Sequence, residues 1–87
     1  MPDDSRPSFT APQGQYLAFI HAYTLVNDRP PAEADMQRFF RVSSPTVHQM
    51  VLALERHGLI SRQPGMPRSI RLLVERAELP ELCPARA

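Results

Sequence analysis

"SSPTVHQM", residues 43–50, sets two serines and a proline directly before Val47, the first member of an apolar repeat. Ser43 or Ser44 can cap a helix by accepting a backbone N–H, and Pro45 is tolerated in a first turn, where its missing N–H costs nothing. Val47, Met50, Val51 and Leu54 then fall at i, i+3, i+4 and i+7, one buried helix face. At 100° per residue Pro45, Gln49 and Arg56 lie opposite that face, with Thr46 and His48 on its flanks. So the helix opens with short and medium polar groups that its core does not use. Gly58 is placed to end it in the left-handed conformation, and His57 sits in the last turn, where a partly cationic ring is tolerated.

Upstream, Thr10 can cap a helix starting near Ala11–Pro12, with Leu17, Ile20 and Thr24 as its stripe and Tyr16 and Tyr23 beside it. "NDRPP", residues 27–31, must be a turn. A shorter helix is predicted from about Ala32 to Arg41, with Met36, Phe39 and Phe40 on its apolar side. Glu33 and Asp35 fall in its first turn, where the helix dipole favours acids. Downstream, "LISRQ" and "RSIRLLV" flank "PGMP" and predict two strands joined by a Pro-Gly turn. The chain thus divides into a flexible N-terminus, 1–8, a domain, 9–74, and a C-terminal tail, 75–87. The fold class is mainly α with a small β-hairpin: three helices followed by a basic hairpin, the winged helix-turn-helix pattern.

The net charge of +1 conceals an asymmetry. Residues 41–71 hold Arg41, Arg56, Arg62, Arg68 and Arg71 against Glu55 alone, whereas both flanks are net acidic. A local basic face is the electrostatic footprint of a phosphate-binding surface, although a merely solvated face would have the same composition. Physically, Gln49 can form a bidentate pair with adenine, His48 can donate to guanine, and the Thr46 methyl can touch thymine. Simple capping accounts for one serine but leaves His48 and Gln49 unused. Arg56, at the far end of that helix, suits a phosphate, as do Arg41 and Arg71 if they are not tied up in exposed ion pairs; Arg62 and Arg68 lie on the wing.

"SSPTVH", "LERHGLI" and "PRSIRLL" carry a specific resemblance. Residues 43–73 are similar to the DNA-binding domain of the LexA repressor family, and "FTAPQGQYLAFIHAY" and "NDRPP" fit that family's first helix and following turn. The resemblance implies a winged helix-turn-helix that binds double-stranded DNA, with Ser43, Pro45, Thr46, His48 and Gln49 facing bases. It also implies that Arg68 takes the place of the arginine the family brings close to the minor groove. LexA-like repressors carry a second, self-cleaving peptidase domain with a serine and a lysine, which also makes the dimer. These 87 residues contain no lysine, so self-cleavage is not expected of them. A weak homodimer through the C-terminal tail, with Leu79, Leu82 and Cys83, or through the wing together with the tail, is the expected replacement, and a disordered tail with a monomer in solution is the alternative. Three further departures stand out: Glu33 where the family is usually apolar, Phe39 where it is usually small, and Leu52 where it is more often polar or small.

Other functions find little support. Without lysine there is no Schiff base, phosphate-loop lysine or Ser–Lys pair, and no nucleophile–base–orienter set can be assembled, so the chain is read as no enzyme. His21, His48, His57 and Cys83 match no zinc-binding spacing, so neither a metal nor a cofactor is expected. The lone Cys83 excludes an internal disulfide. "MPDDSRPS" is no secretory signal and no apolar run reaches about 18 residues, so a cytoplasmic location at the bacterial nucleoid is expected. The expected function is sequence-specific DNA binding as a transcriptional repressor or small regulator. The competing reading is a winged-helix module that binds protein through Leu52 and the tail.

Overall fold

In a computed structural model, residues 8–84 are described. The expected flexible N-terminus falls outside them except for Ser8. Three helices are followed by a two-stranded antiparallel hairpin: α1 (Ala11–Asn27), α2 (Glu33–Phe40), α3 (Ser44–Arg56), β1 (Ile60–Ser61) and β2 (Arg71–Leu72). This is the winged helix-turn-helix that the sequence leads one to expect.

Local signals explain where each helix begins. Thr10 and Gln13 form a reciprocal box at the start of α1: the Gln13 N–H donates to Thr10 Oγ1 at 3.2 Å, and the Thr10 N–H donates to Gln13 Oε1 at 3.0 Å. Ala32 has no side chain to cap α2, and Asp35 supplies the acceptor instead, taking the Ala32 N–H on Oδ2 at 2.8 Å. Ser43 is the residue that caps α3, accepting from the Thr46 N–H at 3.3 Å. Gly58 follows α3 with φ +74°, a left-handed conformation, and the Leu59 N–H closes back onto the Leu54 carbonyl at 2.9 Å.

The core gathers Leu17 and Ile20 of α1, Met36 of α2, Val47, Val51 and Leu54 of α3, and Leu59, Ile60 and Ile70 of the hairpin. Each of these is nearly or fully removed from water. Phe39, which departs from the family pattern, lies 4.7 Å from the Phe19 ring, and Tyr16 stacks on Phe40 at 4.0 Å. The extra bulk is therefore accommodated by an aromatic cluster between α1 and α2.

Two features differ from the sequence-based expectation. The strands pair only Ile60 with Leu72 and Ser61 with Arg71. Beyond Ser61 the chain leaves the ladder because Ser69 takes up the loop's backbone groups. Its hydroxyl accepts the Gln63 N–H at 2.9 Å and lies 2.8 Å from the Met66 carbonyl, while Pro64 and Pro67 have no N–H to offer.

The second difference concerns the segment after the hairpin, which lies against α1. Leu79 and Leu82 pack on the core, after a short 3-10 turn at Arg76–Glu78. The Gln15 side chain clamps the backbone there, donating to the Glu81 carbonyl at 2.9 Å and accepting the Cys83 N–H at 2.8 Å. Gly14 makes the close approach feasible, since a Cβ there would stand 3.0 Å from both Phe9 and Pro80 side-chain atoms. Covered from this side as well, α1 buries Tyr16 to Ile20 without interruption, not as the single stripe its spacing suggests.

Candidate nucleic-acid interface

The first two turns of α3 separate cleanly into one buried residue and an exposed polar set. Val47 is fully buried, while Ser43, Ser44, Pro45, Thr46, His48 and Gln49 are all exposed. The cause is periodicity: Val47, Val51 and Leu54 need one face of the helix, so the other positions of the N-terminal turns project outward. The Ser43 and Thr46 hydroxyls lie 2.9 Å apart, which orients the Thr46 side chain. Among the described residues Gln49 has no side-chain partner, so its carbonyl and amide are open to a ligand.

The five arginines expected on the basic face divide into two groups. Arg41, Arg56 and Arg71 are exposed and, among the described residues, have no carboxylate within ion-pair distance. Arg41 ends α2 in a left-handed conformation, with φ +58°. Its backbone N–H bonds the Gln37 carbonyl at 2.9 Å, and its side chain stands at the turn leading into α3. Arg56 projects from the last turn of α3.

Arg62 and Arg68, the two arginines placed on the wing, are engaged within the fold. Arg62 donates from Nε to Glu55 Oε1 at 3.0 Å, and its side chain is only 16% exposed. Arg68 turns inward, across the hairpin, onto α1 and α2. Its Nη1 lies 3.0 Å from Tyr23 Oη, 3.1 Å from the Pro30 carbonyl and 3.1 Å from Asp35 Oδ2. Its backbone is also left-handed, with φ +59°, which a non-glycine residue adopts only at a cost of about 1–2 kcal/mol. The ion pair therefore also fixes the path of the wing.

Asp35 is the centre of that network. It is buried, and it holds the Ala32 N–H, Arg68 and, at 2.6 Å, Arg38. Burial by itself would raise its pKa, but the Ala32 hydrogen bond and the Arg68 and Arg38 charges outweigh burial and hold the carboxyl below its ordinary value. Sequence reading took Asp35 only as an acid suited to a helix dipole. Its contact with Arg68 has no local signal, because the two residues are far apart along the chain.

Glu33, read from sequence as a first-turn acid that departs from the family pattern, has a specific partner. Its carboxylate meets His48, with Oε2 and Oε1 at 3.2 and 3.3 Å from Nδ1. At the other end of α3, the Gln13 amide donates to Nδ1 of His57 at 3.2 Å and ties α3 to the start of α1. Leu52 is half-buried and not a free apolar knob. No group of three metal-ligating side chains is found among the described residues, and no described helix is long and apolar enough to cross a membrane.

Comparison with known proteins agrees with the fold. A family model described as the LexA DNA binding domain matches residues 7–69. The chain is 35% identical over 63 residues to the LexA repressor of Thermotoga neapolitana, covering 72% of this chain and 32% of that protein. It is 39% identical over 61 residues to the LexA repressor of Thermosipho africanus (strain TCF52B), covering 70% and 31%. Against the LexA repressor of Carboxydothermus hydrogenoformans the identity is 36% over 62 residues, covering 70% and 30%. The chain spans about a third of the length of the curated relatives it matches.

Proposed function

The chain belongs to the LexA DNA-binding domain family, and from that premise we propose that it binds double-stranded DNA sequence-specifically and acts as a transcriptional repressor or small regulator. The observation that carries this reading is the exposed polar tip of α3, where Ser43, Pro45, Thr46, His48 and Gln49 surround the buried Val47. In this reading the tip enters the major groove and those five residues face bases, as the second helix of a helix-turn-helix does. Arg56, Arg41 and Arg71 neutralise phosphates. Such contacts set register and orientation without carrying sequence information themselves. Arg62 and Arg68, committed to Glu55 and Asp35, hold the wing in position against the duplex.

The reading assigns no reaction to the chain, and it places the protein in the cytoplasm, on the nucleoid. One tip reads only a few base pairs, so tight binding calls for two copies on a two-fold site, with half-sites about one helical turn apart. A weak homodimer through the C-terminal tail would draw little from Leu79 and Leu82, because both pack on the core. The competing protein-binding reading loses its main supports for the same reason: Leu52 and the tail leucines are partly covered.

Selection of bound sequences from a random duplex pool tests the proposal. A recurring motif whose binding weakens steeply with salt is the expected result. Recovery of no preferred sequence, or binding insensitive to salt, would overturn it.

A further inference from the structure

The contact between Glu33 and His48 joins the start of α2 to the base-facing tip of α3. Both carboxylate oxygens of Glu33 lie close to the same ring nitrogen, Nδ1, at 3.2 and 3.3 Å. An ionised carboxylate can only accept a hydrogen bond, so Nδ1 must carry the hydrogen. In neutral imidazole only one nitrogen is protonated, which leaves Nε2 with a lone pair. Among the described residues Nε2 has no partner, and 49% of the His48 side chain is exposed.

We propose that Glu33 is a positioning residue for base recognition: it fixes His48 as the Nδ1–H tautomer, so that Nε2 accepts a hydrogen bond from a base. The inference rests on the DNA-binding reading above and deepens it by naming what His48 recognises. An acceptor in the major groove selects an exocyclic amino group, N6 of adenine or N4 of cytosine, and finds no partner on N7 or O6 of guanine. That reverses the preference a donating histidine would have. The sequence suggests donation to guanine because the tautomer depends on a partner fifteen residues away.

The charged groups around the ring are Glu33 on α2, and Arg62 and Arg68, which line the same cleft from the wing. A cationic ring would donate from Nε2, so the acceptor state belongs to the neutral ring. Glu33 also places a negative charge beside His48 at the base-facing tip of α3, where it repels any duplex. Its presence there costs non-specific affinity, which makes sense if it contributes to discrimination.

Two measurements at about pH 8.5 test the proposal. Nitrogen-15 shifts of the His48 ring in the free protein report the tautomer directly. Wild type should show Nδ1–H and a bare Nε2, whereas Glu33→Ala should move towards the Nε2–H form. Wild-type Nε2–H would overturn the proposal, whether or not the protein binds DNA. The second measurement compares sequences selected by wild type, Glu33→Ala, Glu33→Gln, His48→Ala and the double variant Glu33→Ala with His48→Ala.

Wild type should favour adenine or cytosine at one position by about fivefold, the worth of one hydrogen bond. Glu33→Ala should lose that preference while gaining affinity for unrelated duplex. Glu33→Gln, which keeps an acceptor without the charge, should retain part of the preference. In the His48→Ala background, Glu33→Ala should change no base preference further. An unchanged preference in Glu33→Ala, or an equal change with and without His48, would overturn the positioning role. Failure of wild type to select any sequence would sink the DNA-binding reading and leave the tautomer result standing.

Discussion

The tip of α3 and the wing both carry polar and charged side chains, yet they use them in opposite ways. At the tip, His48 and Gln49 are exposed, and the core is served by Val47 alone. On the wing, Arg62 and Arg68 are directed inward, to Glu55 and to Asp35 with Tyr23. The difference teaches that charge in the sequence is a poor guide to charge available for a ligand. What decides is whether a carboxylate lies within reach once the chain is folded. A surface made of residues that the fold does not need can be aimed at a partner, while one made of residues that the fold consumes is scaffold.

The sharpest way to break this contrast is to remove the wing's internal anchor. Asp35→Ala deletes the acceptor for Arg68, Arg38 and the Ala32 N–H at once. Unfolding in urea should show a loss of about 3 kcal/mol, the scale for charged hydrogen bonds in a buried site. Acid should act on the same group. Because its folded pKa is depressed, Asp35 binds protons less readily folded than unfolded. Its contribution is complete above the ordinary carboxylate value of about 3.9 and is lost as pH falls from there through the folded value. Asp35→Asn should therefore lose less stability than wild type over that acid range.

The segment after the hairpin behaves like the wing and unlike the tip. Gly14→Val would force a side chain against Phe9 and Pro80. It should cost about 2 kcal/mol, as overpacking does, and should raise amide exchange at Leu82 and Cys83. Unchanged exchange there would show that the segment's docking does not depend on Gly14.

What could be read from the sequence follows the range of the interactions. The three helices begin within about a residue of expectation because Thr10 with Gln13, and Ser43 with Thr46, act three residues apart. The exposed side of α3 was legible because helical periodicity assigns faces before any partner is known. The pairs Arg68–Asp35, Glu33–His48 and Gln15–Glu81 span 33, 15 and 66 residues and left no local trace. For that reason the internal pairing of the wing arginines, the contact of Glu33 with His48 and the docked tail emerge only from the folded structure. The two-residue strands have a similar origin, since Ser69 competes for the loop's backbone groups.

At the tip, a substitution should affect binding and leave the fold alone. Gln49→Ala should cost about 1–2 kcal/mol on the selected site and relax the choice of base at one position. Its melting temperature should match wild type, because Gln49 is exposed and buries nothing. A matching fall in stability would place Gln49 with the scaffold and blur the distinction.

The smallest effect in energy gives the most direct test: the salt dependence of binding to the selected duplex, measured for wild type, Arg56→Ala and Arg62→Ala. Wild-type affinity should fall steeply as salt rises. Arg56→Ala should flatten the slope by about one unit, while Arg62→Ala, already paired with Glu55, should run parallel to wild type. A flat wild-type line, or equal flattening by both variants, would contradict the account.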